Sequence, residues 1–209
     1  RPDGFQVEEV LFNTVYGDGL RCLARLSRAL GHVAQAQKLD ARANRVTGTL
    51  LVKCWDDEAG VFWDLWGADE KPLRLLTCTS LLPLILEDLD AGAAHRLVQE
   101  HLLEPAEFWT RYPVPSVALD EPTFDPAFRT GAIWRGPSWV NVNWYLYWGL
   151  KTHGYHDVAT ELAMRTFDMV LRGGFREFFN PLTGEGLGAP EFSWSSLVLD
   201  LLWGEGKSD

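Results

Sequence analysis

The chain is short of several things, and each shortage excludes a class of protein. Cysteine is scarce: Cys22, Cys54 and Cys78 are three in 209 residues, an odd number with no Cys-x-x-Cys spacing. That pattern excludes a disulfide scaffold and a cysteine-based zinc site, and leaves buried reduced thiols as the expectation. Basic residues are outnumbered, 19 Lys and Arg against 29 Asp and Glu, for a net charge of −10, and they are not clustered. Nucleic acid is therefore not an expected partner, because phosphate binding needs concentrated positive charge. Long apolar runs are missing as well. The stretches at 80–86 and 196–203 fall well short of the ~18 residues of a membrane span. The opening R-P-D-G-F is polar, lacks the apolar segment of a signal peptide and carries no initiator methionine. These features predict a cytoplasmic protein, away from membranes, whose start lies further upstream. The five histidines show neither H-E-x-x-H nor any paired spacing. They read as solvated or capping groups, and neither a metal nor a cofactor is expected.

What is abundant is aromatic. Ten tryptophans stand beside 11 phenylalanines and five tyrosines, in a chain whose 46% apolar and 23% charged content is that of a globular protein. Its length suits a single domain, residues 1–209, or part of a larger one. Tryptophan-rich clefts suit pyranose rings, whose C–H faces are apolar while their hydroxyls stay free to hydrogen-bond.

Apolar residues recur at helical spacing over 7–30 and again over 33–54, followed by the acidic turn W-D-D-E-A-G and an aromatic strand-like piece at 61–66. Further helices are predicted over 79–86 and 91–103, the first capped by Thr77 or Thr79. Prolines at 105, 113, 115, 122, 126 and 137 break any helix between 104 and 137, and the aromatics there favour an ordered loop. A helix apolar on nearly all faces follows over 138–152. A one-faced helix then begins at Asp157 and ends at Gly173-Gly174, and an apolar segment at 195–203 closes the chain. Buried and one-faced helices thus alternate in pairs. That alternation predicts an all-α fold of concentric helical rings.

Two stretches concentrate the chemistry. The first is W-R-G-P-S-W-V-N-V-N-W, in which Gly136-Pro137 turns sharply into a helix and presents Arg135, with Asn141 and Trp144 about a turn apart. Some thirty residues later comes F-R-E-F-F-N-P-L-T-G-E-G-L-G-A-P-E-F-S-W. There Glu177 lies among Phe175, Phe178 and Phe179, a setting that suits a carboxylate taking a proton from water. Composition alone favours a surface glutamate at a helix end over a working carboxylate. Glu185 reads as a turn residue, and Glu191 as a cap of the last helix or a partner of Arg135. The glycine-rich G-E-G-L-G has no following Lys-Ser/Thr, so it is not a phosphate loop.

These two stretches resemble the C-terminal motifs of glycoside hydrolase family 63 and its relatives, the mannosylglycerate hydrolases and, more distantly, the trehalases. V-L-F-N, K-C-W-D-D-E-A-G-V-F-W-D, T-S-L-L-P-L and V-P-S-V-A-L-D-E-P-T-F-D-P extend the likeness over the whole chain. The resemblance implies an (α/α)6 toroid of the six-hairpin type, about half of it present, and inverting hydrolysis of an α-glycosidic bond in a small carbohydrate. By motif position Glu177 matches the family's general base. Trp134, Arg135, Trp139, Asn141, Asn143, Trp144, Glu191 and Trp194 would line the sugar subsite. The general acid of the family is an aspartate in an S-G-x-D motif, which does not occur in this sequence. The resemblance therefore implies the C-terminal portion of a catalytic domain, completed by an N-terminal half or paired as a homodimer through its open face. Two other readings stay open: a sugar epimerase or isomerase on the same architecture, and a non-catalytic carbohydrate-binding module.

Overall fold

The computed structural model describes residues 6–205, so the polar opening segment lies outside the described residues. A short strand β1 (Val7–Glu8) precedes the helical hairpin of α1 (Val10–Ala29) and α2 (Val33–Lys53). Four short strands follow: β2 (Trp55–Asp56), β3 (Val61–Phe62), β4 (Asp64–Trp66) and β5 (Lys71–Leu73). They form the β2–β3 hairpin and a three-stranded antiparallel sheet in the order β1-β4-β5. A 3₁₀ helix, Cys78–Ile85, leads to α3 (Ala91–Arg96), which runs into a π turn at Leu97–Leu102. After an irregular but ordered stretch come α4 (Val140–Thr152), α5 (His156–Gly173) and the hairpin of β6 (Arg176–Phe179) with β7 (Gly186–Pro190). A second 3₁₀ segment, Ser193–Leu197, feeds α6 (Val198–Glu205).

The helices fall into two rows. An inner row runs from α1 through the Cys78–Ile85 helix and α4 to α6. Behind it, α2 packs on α1, the π turn on the 3₁₀ helix, and α5 on both α4 and α6. Helix α1 buries Val10, Thr14, Gly17, Leu20 and Ala24, one stripe of a 3.6-residue period. Gly17 permits the close approach, because a Cβ there would stand 3.1 Å from Leu86 and 3.2 Å from Val46. Gly149 does the same for α4, where a Cβ would meet the Leu84 carbonyl at 2.8 Å. Helix α4 is buried on several sides by the 3₁₀ helix, α5 and α6, as its apolar circumference predicts. The larger core cluster includes Phe62, Leu81, Phe108, Trp139, Tyr147 and Phe178, and a smaller one joins Tyr112, Val140, Met169, Val170, Phe179 and Val198.

Several sequence expectations are corrected. The segment after Thr77 is 3₁₀ rather than α, with Pro83 inside it removing a backbone donor. Thr77 stands at its N-cap but makes no side-chain cap; its hydroxyl pairs with that of Thr79 at 2.8 Å. Tyr155 rather than Asp157 is the N-cap of α5, and Asp157 lies in the first turn, where its charge still favours the helix dipole. Cys22 is exposed on α1, while Cys54 and Cys78 are buried as expected. His101 is neither solvated nor a cap: it is buried between Glu107 (2.8 Å) and the Ala59 carbonyl (2.9 Å).

Candidate active site

The site is built at the rim where the inner elements begin. Helix α1 starts at Val10, the 3₁₀ helix at Cys78 and α4 at Val140, and residues from all three starts line one cleft of about 450 Å³. Backbone bridges tie these starts together: Thr77 with Val117, Pro115 with Ser138, and Ser138 with Phe179 on β6. The Ser138–Phe179 pair exchanges both backbone bonds, at 2.8 and 2.9 Å, and so lays β6 along the start of α4. The long irregular stretch is thus stitched into the rim rather than hanging from it. Ser116 donates its backbone N–H to Pro137, and Tyr112 donates to Pro181.

Glu9, Asp64, Thr77, Thr79, Trp134 and Asn141 contribute to the cleft wall. Asp64 has a structural duty there. Helix α1 has no side-chain cap of its own, and the Asp64 carboxylate accepts the Val10 N–H at 2.7 Å. Burial raises the pKa of Asp64, against the lowering effect of that hydrogen bond. Glu9 is raised by burial and then by the negative charge of Asp64. Cys78 is no nucleophile, since burial pushes its thiol up to about 12. The Oδ1 atom of Asn141 is buried without a protein partner among the described residues.

Trp134 joins the cleft to an aromatic cluster. It stacks on Trp139 with ring centroids 4.1 Å apart and planes 9° from parallel. Trp139 also touches Phe178 at 5.0 Å and Trp194 at 5.8 Å. Trp139 is almost wholly buried, and its Nε1 donor has no partner among the described residues, whereas Trp134 and Trp194 each leave a face in solvent. The exposed faces of Trp134 and Trp194 are surfaces on which the apolar C–H face of a pyranose can stack.

Glu177 stands on β6 beside Phe178, where the pairing with β7 shifts register between Arg176 and Phe178. Such an irregularity re-aims a side chain out of the ladder's alternation. The half-buried Glu177 carboxylate accepts the Ala189 N–H through Oε2 at 3.0 Å. Gly188, at φ +66°, makes room for it, since a Cβ there would stand 2.7 Å from that oxygen. One carboxylate oxygen is therefore fixed by the backbone of β7, and the other has no partner among the described residues.

The remaining candidates separate. Arg135 is exposed at the rim, outside every ion pair found among the described residues. Asn143 does not face the cleft. It is fully buried, accepts the Val114 N–H at 2.9 Å, and donates to the Pro113 carbonyl at 2.6 Å and the Thr166 hydroxyl at 2.9 Å. Its role is to pin the irregular stretch to α4 and α5. Trp144 lies in a separate groove with Asp18, Cys22 and Trp148, and donates to Asp200 at 2.7 Å. Glu191 has φ +54° and is exposed; Phe192, not Glu191, is the N-cap of the segment that follows. Glu185 is a turn residue, its carbonyl accepting from Asn180 at 2.9 Å. Glu9, Thr77 and Tyr145 line the cleft from outside the quoted motifs, while Asp64, Thr79 and Ser116 lie inside motifs that assign them no role. Among the described residues no group of three or more His, Cys, Asp and Glu is placed to hold a metal ion, and no helix is long and apolar enough to cross a membrane.

Paired inner and outer helices, joined at one rim by irregular segments and short hairpins, are the architecture of a partial all-α toroid. Comparison with known proteins narrows this. The chain belongs to the mannosylglycerate hydrolase MGH1-like glycoside hydrolase domain family, which it matches over residues 1–195. It is 36% identical over 209 residues to the mannosylglycerate hydrolase of Thermus thermophilus, a match covering 97% of this chain and 46% of that protein. It is 34% identical over 200 residues to the mannosylglycerate hydrolase of Rubrobacter radiotolerans, covering 95% of this chain and 44% of the relative. The crystal structure of a GH63 mannosylglycerate hydrolase from Thermus thermophilus in complex with Tris superposes with a TM-score of 0.84 at 33% identity, over 96% of this chain and 46% of that one. The chain spans about half the length of the curated relatives it matches.

Proposed function

We propose that this chain is a single domain, residues 1–209, forming the C-terminal portion of an (α/α)6 glycosidase and supplying the general-base half of its site. The substrate class is a small α-glycoside, a hexose joined to a small polar acid or alcohol such as the mannosylglycerate for which its relatives are named. The observation that carries this reading is the geometry of Glu177: one oxygen is held by the Ala189 N–H and the other has no partner among the described residues, on the strand whose next residue, Phe178, packs against Trp139. In inverting hydrolysis a carboxylate activates water on one face of the sugar while a carboxylic acid protonates the leaving oxygen from the other, with the two groups ~6.5–9.5 Å apart. Glu177 suits the first role. The second belongs to an aspartate outside this chain, since the S-G-x-D motif is absent from its sequence. Asn141 lines the cleft as a polar group for a sugar hydroxyl. Trp134 and Trp194 are stacking faces, and Arg135 is a rim cation for an anionic aglycone. The reaction needs no cofactor. Three unpaired thiols suit the reducing conditions of the cytoplasm, where we place the protein.

The test is to complete the ring by co-expressing the chain with the first half of the Thermus thermophilus relative and to follow α-mannosylglycerate hydrolysis by proton NMR. The reading requires the β anomer of the sugar to appear first. Initial release of the α anomer excludes an inverting mechanism, and proton exchange at a sugar carbon without bond cleavage would assign the site to an epimerase. Quenching of tryptophan fluorescence by the sugar with no turnover would assign it to a binding module.

A further inference from the structure

The peptide unit that anchors Glu177 is itself held from its other end. The ladder pairs Arg176 with Pro190 and Phe178 with Leu187, so the register shift sets Glu177 alone against two residues of β7, Gly188 and Ala189. Neighbouring residues of a strand ordinarily point to opposite faces. Here both side chains reach the one peptide between Gly188 and Ala189. The Glu177 carboxylate accepts its N–H at 3.0 Å, and Arg176 donates through Nη2 to its carbonyl at 2.9 Å. The glycines of β7 admit both side chains: a Cβ on Gly186 would overlap the Arg176 Cγ, and one on Gly188 would stand 2.7 Å from the Glu177 carboxylate. The Arg176 guanidinium enters no ion pair among the described residues, so the carbonyl does not share the cation with a carboxylate.

We infer that Arg176 is a positioning residue for the water-activating carboxylate, acting on Glu177 through the Gly188–Ala189 peptide. A charged donor on a carbonyl draws electron density out of the amide, and the N–H of the same peptide becomes the stronger donor. Guanidinium, peptide and carboxylate thus form one polarised line, with positive charge at one end and negative charge at the other. The line does two things for the base. It fixes the plane of a peptide that follows a left-handed glycine, Gly188 at φ +66°, the residue type that restrains its backbone least. It also commits one carboxylate oxygen to the backbone, so that the other is the one presented to water in a constant orientation. The inference rests on the reading of Glu177 as the base, and adds to it the group that holds the base in place.

The test has two readouts, and the first needs only the intact chain. In protein labelled for NMR at its alanine nitrogens, the Ala189 amide is assigned by its loss in Ala189→Gly. It should move upfield and exchange faster with solvent deuterium in Arg176→Met, which keeps the stem and removes the charge. Arg176→Lys, which keeps a cation, should restore much of both signals. The second readout is kinetic, in the chain completed with the first half of the Thermus thermophilus relative. Arg176→Met should lower kcat about tenfold to a hundredfold with KM little changed, and Arg176→Lys should recover part of the loss. Should Arg176→Met not fold, Arg176→Gln, which keeps a neutral donor on a similar stem, gives the same two readouts. An Ala189 amide indifferent to the loss of the charge overturns the inference whatever the activity. A wild-type kcat for Arg176→Met beside an impaired Glu177→Gln also overturns it and leaves the base reading standing. Full activity in Glu177→Gln removes the base reading, and with it the catalytic purpose of Arg176.

Discussion

At the scale of single residues, the proposed site depends on a glycine as much as on the glutamate it serves. Gly188 combines a left-handed backbone, φ +66°, with a position where a Cβ would stand 2.6 Å from the Phe178 ring and 2.7 Å from the Glu177 carboxylate. Gly188→Ala is therefore strained twice, by conformation and by contact. Its expected outcome is a stability loss of about 1–2 kcal/mol, with a larger proportional loss of kcat in the ring-completed protein as Glu177 is pushed off the Ala189 N–H. Thermal melts and initial rates on the same preparation check it. Asn143 shows the converse. In sequence it is one of two asparagines in V-N-V-N, with nothing to separate it from Asn141. In the structure it is enclosed and its amide holds Val114, Pro113 and Thr166, while Asn141 lines the cleft. Two residues apart on a helix means roughly 200° of rotation, so only one of the pair faces the rim.

At the scale of elements, two side chains hold segments that are distant in sequence. Asp64 of β4 caps α1 across 54 positions. Asp64→Ala should lower stability by about 0.5–2 kcal/mol, and Asp64→Asn, which keeps an acceptor, should lose less; circular-dichroism melts distinguish them. His101 joins the turn after α3 to the β2–β3 hairpin. Both ring nitrogens face acceptors, the Glu107 carboxylate and the Ala59 carbonyl, so the ring satisfies both only when protonated. Burial acts to lower its pKa, but the Glu107 hydrogen bond, the Ala59 carbonyl and the charges of Glu107 and Glu100 outweigh it, and the pKa is raised. The folded value thus lies above the unfolded one. The contribution to stability is full below the ordinary histidine range near ~6.5 and is lost as pH rises through the raised folded value. Melting of the wild type should fall relative to Glu107→Gln across that window; parallel curves for the two proteins would contradict the protonated pair.

At the scale of the whole molecule, the alternation of buried and one-faced helices was legible from periodicity, because an inner helix such as α4 must be apolar around most of its circumference. The glycosidase likeness was legible from long motifs at the rim, where chemistry restricts residue choice. The cleft itself was not. Glu9, Asp64, Thr77 and Ser116 come from four separate segments that meet only because the inner elements start at one rim, and no local pattern encodes that meeting. Nor could spacing distinguish Trp144, which turns into a second groove and bonds Asp200, from Trp134 and Trp139, which stack beside Phe178. The central claim is that Glu177 activates the water in a ring completed by a second half, and the most direct measurement is kcat for Glu177→Gln in that completed protein. The expected result is a fall of roughly 10²–10⁴-fold with an unchanged melting temperature and an intact complex, and a rate equal to wild type would take the base role away from Glu177.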